Sequence, residues 1–118
     1  MGNADPERVR DYYRYVDEER YEDLLSLFAD DVTYERPGQG TIEGIDELER
    51  FYREERPLEN GSHEVRAVVP DGDTVAVRGR FTGDQGGVAV DLGFADFHRF
   101  DGDGNIVERW SYTDRDTV

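Results

Sequence analysis

Asp96 and His98 interrupt an otherwise apolar alternation. Between Val88 and Phe100 the residues Val88, Val90, Leu92, Phe94 and Phe100 share one parity, and Asp96 and His98 share it with them. Side chains two apart on a strand point to the same face, so an acid and an imidazole are directed where the apolar set is directed. A charge taken out of water must be paired, neutralised or hydrated. A carboxyl in such a place accepts protons or, when protonated, donates to a developing oxyanion, and an imidazole is a general acid or base. Arg36 shares parity with Val32 and Tyr34. An inward guanidinium there suits a carboxylate or enolate oxygen. The candidate site read from the residues is therefore Arg36, Asp96 and His98, while Tyr12, on an apolar helical stripe, by itself reads as core. A purely structural use of the same residues is an Asp96 that accepts from a tyrosine hydroxyl or pairs with Arg36 to hold sheet and helix together.

The elements that must position these residues are legible from capping and periodicity. Asp5-Pro6-Glu7 supplies an N-cap, a first-turn proline and an acid at the positive end of a helix. Val9, Tyr12, Tyr13 and Val16 then recur at helical spacing, as do Tyr21, Leu24, Leu25 and Phe28, and Ile45, Leu48, Phe51 and Tyr52 before Pro57. This predicts three helices, with a short extended run over Val32–Arg36 between the second and third. After Asn60-Gly61 the period becomes two, predicting strands at 63–69, 74–82, 88–100 and 105–113. Pro70-Asp71-Gly72-Asp73 and Asp101-Gly102-Asp103-Gly104 are turn chemistry, so the strands they join are antiparallel. Helices followed by a meander give an α+β fold, in one domain over 1–118.

Composition removes several function classes. The chain of 118 residues has no cysteine, which excludes disulfides, thiolate metal sites and thiol catalysis. Twenty-nine acidic residues face 14 basic ones, all arginine, for a net charge of −15. Such a field repels phosphate backbones and anionic lipid, so neither nucleic acid nor a membrane is expected as partner. The charge is dispersed through apolar periodicity, as on a solvated surface. At 1 M salt the Debye length is about 3 Å and this self-repulsion is screened, which predicts a salt-adapted, halophilic protein whose melting temperature rises between low and molar KCl. A melting temperature that stays level would remove that reading. The polar segment Met1–Asp11 lacks the apolar stretch of a signal sequence, Pro6 spoils the myristoylation pattern begun by Met1-Gly2, and a cytoplasmic location is expected.

Other motifs fail on their own chemistry. Asp101–Asn105 imitates a calcium loop, yet Ile106 stands where glycine is needed and Tyr112 where a bidentate Glu is needed. Gly38, Gly40 and Gly44 lack dinucleotide spacing. His63 and His98 are far apart, and Ser26, Ser62 and Ser111 sit in no nucleophile motif. No metal and no cofactor is expected.

Val9–Tyr12, Leu24–Pro37, and Asp96–Phe100 leading into Gly104–Val107 together resemble the nuclear transport factor 2-like superfamily, and within it the ketosteroid isomerases and SnoaL-like polyketide cyclases. The resemblance implies a cone-shaped, curved, mixed sheet wrapped around a pocket for a small hydrophobic molecule, with three N-terminal helices, a cystatin-like α+β barrel. It also implies an oxyanion hole made by a helix tyrosine, here Tyr12 with Tyr15 as alternate, and a protonated acid, here Asp96. The proton-moving aspartate of those isomerases is Arg36 here, and arginine does not act as a base near neutral pH. The base is then His98, Glu35 in a shifted register, or water held by an ionised Asp96.

Three functions follow. The first is an isomerase or cyclase that stabilises an enolate. The second is a non-catalytic ligand-binding or dimerisation module with an Arg36–Asp96 ion pair. The third, ranked last, is epoxide hydrolysis of the limonene epoxide hydrolase kind, for which Arg78 and Arg80 share a strand without an accompanying acid. Ala89, Ala95, Phe97, Val107 and Arg109 on the outward parity predict a homodimer through the sheet faces. Trp110 and Tyr112 share a parity and belong to either pocket wall or core.

Overall fold

A computed structural model describes residues 3–115 and 118. The Met1-Gly2 pattern lies outside the described residues. Helix α1 spans Pro6–Asp17, and Asp5 caps it by accepting from the amides of Glu7 at 3.1 Å and Arg8 at 3.3 Å. Its stripe of Val9, Tyr12, Tyr13 and Val16 is buried, which anchors the helix through packing rather than propensity.

The second helical stripe is only partly helical. Helix α2 covers Tyr21–Leu25, and strand β1 begins at Phe28 and runs to Glu35. Phe28 pairs in parallel with Ile106, and the Ile106 amide donates to the Leu27 carbonyl at 2.9 Å. Tertiary pairing here overrides a local pattern that two structures share. The two-residue strand β2, Ile42–Glu43, pairs antiparallel with β1. Helix α3 spans Ile45–Arg50 and continues as a π-helical turn, Phe51–Glu55, that ends before Pro57 as expected.

Strands β3 (Leu58–Asp71), β4 (Thr74–Gln85), β5 (Val88–Phe100) and β6 (Ile106–Thr113) form the meander. β3 does not stop at Asn60-Gly61; it absorbs them in a bulge with Asn60 at φ 52°. Gly86-Gly87, at φ 60° and 81°, makes the tight turn between β4 and β5. The six-stranded sheet has the order β2-β1-β6-β5-β4-β3, mixed through the parallel β1–β6 pair. It is an open curved sheet rather than a closed barrel, and the helices cover its concave face. The α+β expectation holds. Among the described residues no helix is long and apolar enough to cross a membrane.

β6 corrects the outward assignment of Arg109. A bulge opposite Arg99 and Phe100 inserts one residue, so Ile106 and Arg109, three apart, both point inward. Arg109 is 3% exposed. The same shift sends the even positions out: Tyr112 is 57% exposed, against Phe97 on the outer face, and belongs to neither pocket wall nor core.

Candidate functional site

Asp96 and His98 on β5 point inward as their parity requires and are 3% and 0% exposed. The strand keeps unbroken register with β4 from Val88 to Arg99, so nothing disturbs the alternation. Asp96 pairs with Arg109, whose Nη2 donates to Asp96 Oδ2 at 2.8 Å. Tyr13 donates to the same oxygen at 2.6 Å. Burial alone would raise the Asp96 carboxyl, but Arg109 and the Ser111 and Tyr13 hydroxyls outweigh it and hold the group below the ordinary carboxylate range. Asp96 is therefore ionised, unlike the protonated acid implied by the isomerase resemblance.

The network extends in both directions. The Tyr13 oxygen lies 3.1 Å from His98 Nε2. Since Tyr13 gives its proton to Asp96, His98 must donate from Nε2, and its buried Nδ1 lone pair has no partner among the described residues. Burial first, then Arg109, pushes His98 down to about 3, so the ring is neutral. On the other side Arg109 donates to Ser111 Oγ at 3.2 Å, Ser111 meets Tyr34 at 2.7 Å, and Arg36 donates to Tyr34 at 2.8 Å. Arg36 closes the chain by donating from Nε to the Val118 carbonyl at 2.5 Å. The Arg109 guanidinium lies 4.2 Å from the Tyr12 ring centre and 4.5 Å from that of Tyr34, an arrangement that stabilises a desolvated cation.

Tyr12 is bonded to Tyr52, hydroxyl to hydroxyl, rather than to Asp96. Burial raises the phenols of Tyr12 and Tyr13 well above the ordinary value, so both stay protonated. Of the four candidates, Tyr12, Arg36 and Asp96 line one small inner cavity. His98 lies behind its wall, and it reaches that wall through Tyr13. An Arg36–Asp96 ion pair is not formed; the two are linked through Tyr34, Ser111 and Arg109. Tyr15 is half-buried and carries the guanidinium of Arg20 at 4.8 Å, and Glu35 points out to solvent. Arg109, Tyr13 and Ser111 were not identified from sequence. For Tyr13 the signal was present, since it shares the helix stripe with Tyr12.

The inner cavity measures about 30 Å³, room for about one water. Arg56 and Leu58 form a wall common to it and to an outer cleft of about 380 Å³ that opens beside Tyr21 and Tyr52. Arg56 donates from Nη1 to the Leu58 carbonyl at 3.2 Å. Its Nε and that of Arg109 are both buried without a hydrogen-bond partner among the described residues. Among the described residues, Arg36, Arg56 and Arg109 thus bring three guanidinium groups to a cavity lined by one carboxylate, Asp96, a balance that favours an acceptor oxygen there.

Comparison with known proteins agrees with this architecture. A family model described as a SnoaL-like domain matches residues 9–109. Among solved structures, a nuclear transport factor 2-like protein of unknown function from Burkholderia pseudomallei superposes with a TM-score of 0.86 at 23% identity, covering 97% of this chain and 92% of that one. An LEH-like epoxide hydrolase of M. tuberculosis gives 0.80 at 19% identity, covering 92% and 81%. A protein with a ketosteroid isomerase-like fold from Catenulispora acidiphila, solved with trimethylamine, gives 0.80 at 22% identity, covering 92% and 86%. No curated protein matches. At these identities the structural likenesses speak to the fold, while the family model spans most of the chain. The chain belongs to the SnoaL-like domain family and has the nuclear transport factor 2-like fold.

Proposed function

We propose that this chain binds a small, largely apolar molecule through an acceptor oxygen and acts as an isomerase or cyclase that stabilises an enolate. The observation that carries this is the excess of guanidinium groups, Arg36, Arg56 and Arg109 against the one carboxylate of Asp96, among the described residues that line the inner cavity. Donors fixed where negative charge develops, and sheltered from water, are the main source of oxyanion stabilisation. The guanidinium groups replace the protonated acid in that role, because Asp96 is ionised and serves to hold Arg109. Tyr12 stays protonated beside them. A ligand larger than one water requires Arg56 and Leu58 to move aside, which joins the inner cavity to the outer cleft.

The test uses 4-nitrophenolate as an oxyanion probe and nitrobenzene as its neutral counterpart, with affinities measured by calorimetry in molar KCl. The phenolate should bind at least about tenfold more tightly, a difference of about 1.4 kcal/mol, and Arg56→Met should remove the preference. Equal affinity for the two probes would overturn the reading. Once a substrate is found, Asp96→Asn should lower turnover more than binding. Binding without turnover on any enolisable ketone would instead indicate a non-catalytic module.

A second reading is water activation by Asp96, as in an epoxide hydrolase. Its support is the buried Asp96–Arg109 pair, an acid and arginine together where Arg78 and Arg80 offered none. Release of a diol from cyclohexene oxide, with ¹⁸O incorporated from labelled water, would favour it.

A homodimer through the outer sheet face remains our proposal for the assembly, now carried by exposed Phe97 and Tyr112 rather than Arg109. Sedimentation should give the mass of two chains, and the mass of one would refute it.

A further inference from the structure

Asp17 and His63, which the scheme above does not use, form a dyad across the seam between α1 and β3. His63 Nδ1 lies 2.5 Å from Asp17 Oδ1, and the His63 backbone amide donates to Asp17 Oδ2 at 2.8 Å. Both carboxylate oxygens are therefore committed to one residue. The imidazole is wedged against Tyr13, Phe81 and Phe94, with ring centres 5.2, 4.9 and 5.4 Å away, so its plane is fixed as well.

This geometry selects the tautomer. A carboxylate accepts, so Nδ1 carries the proton, and in the neutral ring the lone pair is on Nε2. Nε2 has no hydrogen-bond partner among the described residues, and His63 lines the inner cavity with Asp96, Arg56 and Arg109, and an outer groove with Arg10 and Arg14 as well. Burial outweighs Asp17 and holds His63 below its ordinary value of 6.5. The ring is neutral and its basic nitrogen unoccupied near neutral pH. His98 is neutral as well, but it does not line the cavity, and its Nε2 is spent on Tyr13.

We propose that His63, oriented by Asp17, is the general base of this cavity, accepting at Nε2 a proton from the carbon beside a carbonyl whose oxygen Arg109 and Arg56 hold. This rests on the enolate reading. The carbon–hydrogen bond breaks, the proton goes to Nε2, and its electron pair forms the enolate whose oxygen faces the guanidinium groups. Asp17 stabilises the resulting imidazolium. Return of the same proton to a different carbon completes an isomerisation with no net oxidation or reduction, and the base that Arg36 cannot supply is provided by His63.

Bromoacetone tests this, because it carries both a carbonyl oxygen and an electrophilic carbon. The Nε2 lone pair forms a bond to the methylene carbon, the carbon–bromine bond breaks, and bromide leaves. Peptide mass spectrometry should find His63 alkylated with saturation kinetics and His98 untouched, and ¹⁵N NMR should place the new bond on Nε2. Asp17→Asn should slow the limiting rate about tenfold with little change in the half-saturation concentration, Asp17→Glu should restore part of the loss, and Arg56→Met should raise the half-saturation concentration. Alkylation at His98 or at Nδ1, none at His63, or indifference to Asp17→Asn overturns the dyad. Alkylation of His63 that does not saturate and ignores Arg56→Met overturns the oxygen-binding reading and leaves the base in place. If Asp17→Asn does not fold, the tautomer in the unmodified protein decides: Nδ1–H is expected by ¹⁵N NMR, and Nε2–H overturns the assignment.

Discussion

Arg109→Met is expected to lower the unfolding free energy by about 3–5 kcal/mol, read from urea denaturation, a large part of a small domain's stability. Both partners of the Asp96–Arg109 pair are 3% exposed, so the variant strands an ionised carboxylate where water cannot reach it. Replacing both partners should be far milder. In Asp96→Leu/Arg109→Met no charge is left to desolvate, and substitution of a whole buried pair by apolar groups of similar volume is often neutral. Most of the loss should therefore return in the double variant, while 4-nitrophenolate binding does not. Recovery of stability without recovery of binding separates the pair's two roles, and a double variant no more stable than Arg109→Met would show that the two residues are not coupled. The exposed pairs on the helices, such as Arg53–Glu49 at 2.8 Å, should show no comparable effect, because solvent screens them and side-chain ordering offsets the gain.

How far the sequence reaches into this site depends on strand regularity. Asp96 and His98 could be placed inward because β5 holds its alternation from Val90 to Phe100. Arg109 could not, because the bulge in β6 reverses parity after Ile106, and a bulge leaves no mark on an alternation read from composition. Along α1 the apolar stripe located Tyr12 and Tyr13 together but not their division of labour. Adjacent residues on a helix differ by about 100° in direction, and the phase that sends Tyr13 to Asp96 and Tyr12 to Tyr52 is set by how the helix seats on the sheet. Asp17 and His63, 46 residues apart, belong to different elements with no shared pattern, so only packing brings them together. The α+β order was legible from the change in period after Asn60-Gly61. The parallel β1–β6 pair was not, since Tyr21 to Phe28 fits a helix by itself and becomes strand at its end through pairing with a segment far along the chain.

His98→Gln should flatten the acid limb of the stability curve. In the folded protein the His98 imidazole is held down to about 3 against an ordinary 6.5, so between those values the unfolded chain binds a proton that the folded chain refuses. Stability then rises with pH across that window and falls as the solution is acidified. From His98 alone the loss is about 3 kcal/mol by pH 4.5 and about 4 kcal/mol by pH 3. His63, also held below its ordinary value, adds a loss of the same sign. Asp96 acts lower on the scale: its depressed carboxyl contributes stability above the ordinary carboxylate range, and that is lost as pH falls through the folded value. Above about pH 4.5 the slope is therefore chiefly the histidines'. Glutamine can still donate to the Tyr13 oxygen but cannot be protonated. Urea denaturation at pH 7, 5.5 and 4.5 should show His98→Gln less stable than the unmodified protein at pH 7, with the gap closing by about 3 kcal/mol by pH 4.5. Two parallel curves would mean that the folded protein takes up the His98 proton as readily as the unfolded chain does, at the Nδ1 lone pair, with the Nε2 donation to Tyr13 unchanged.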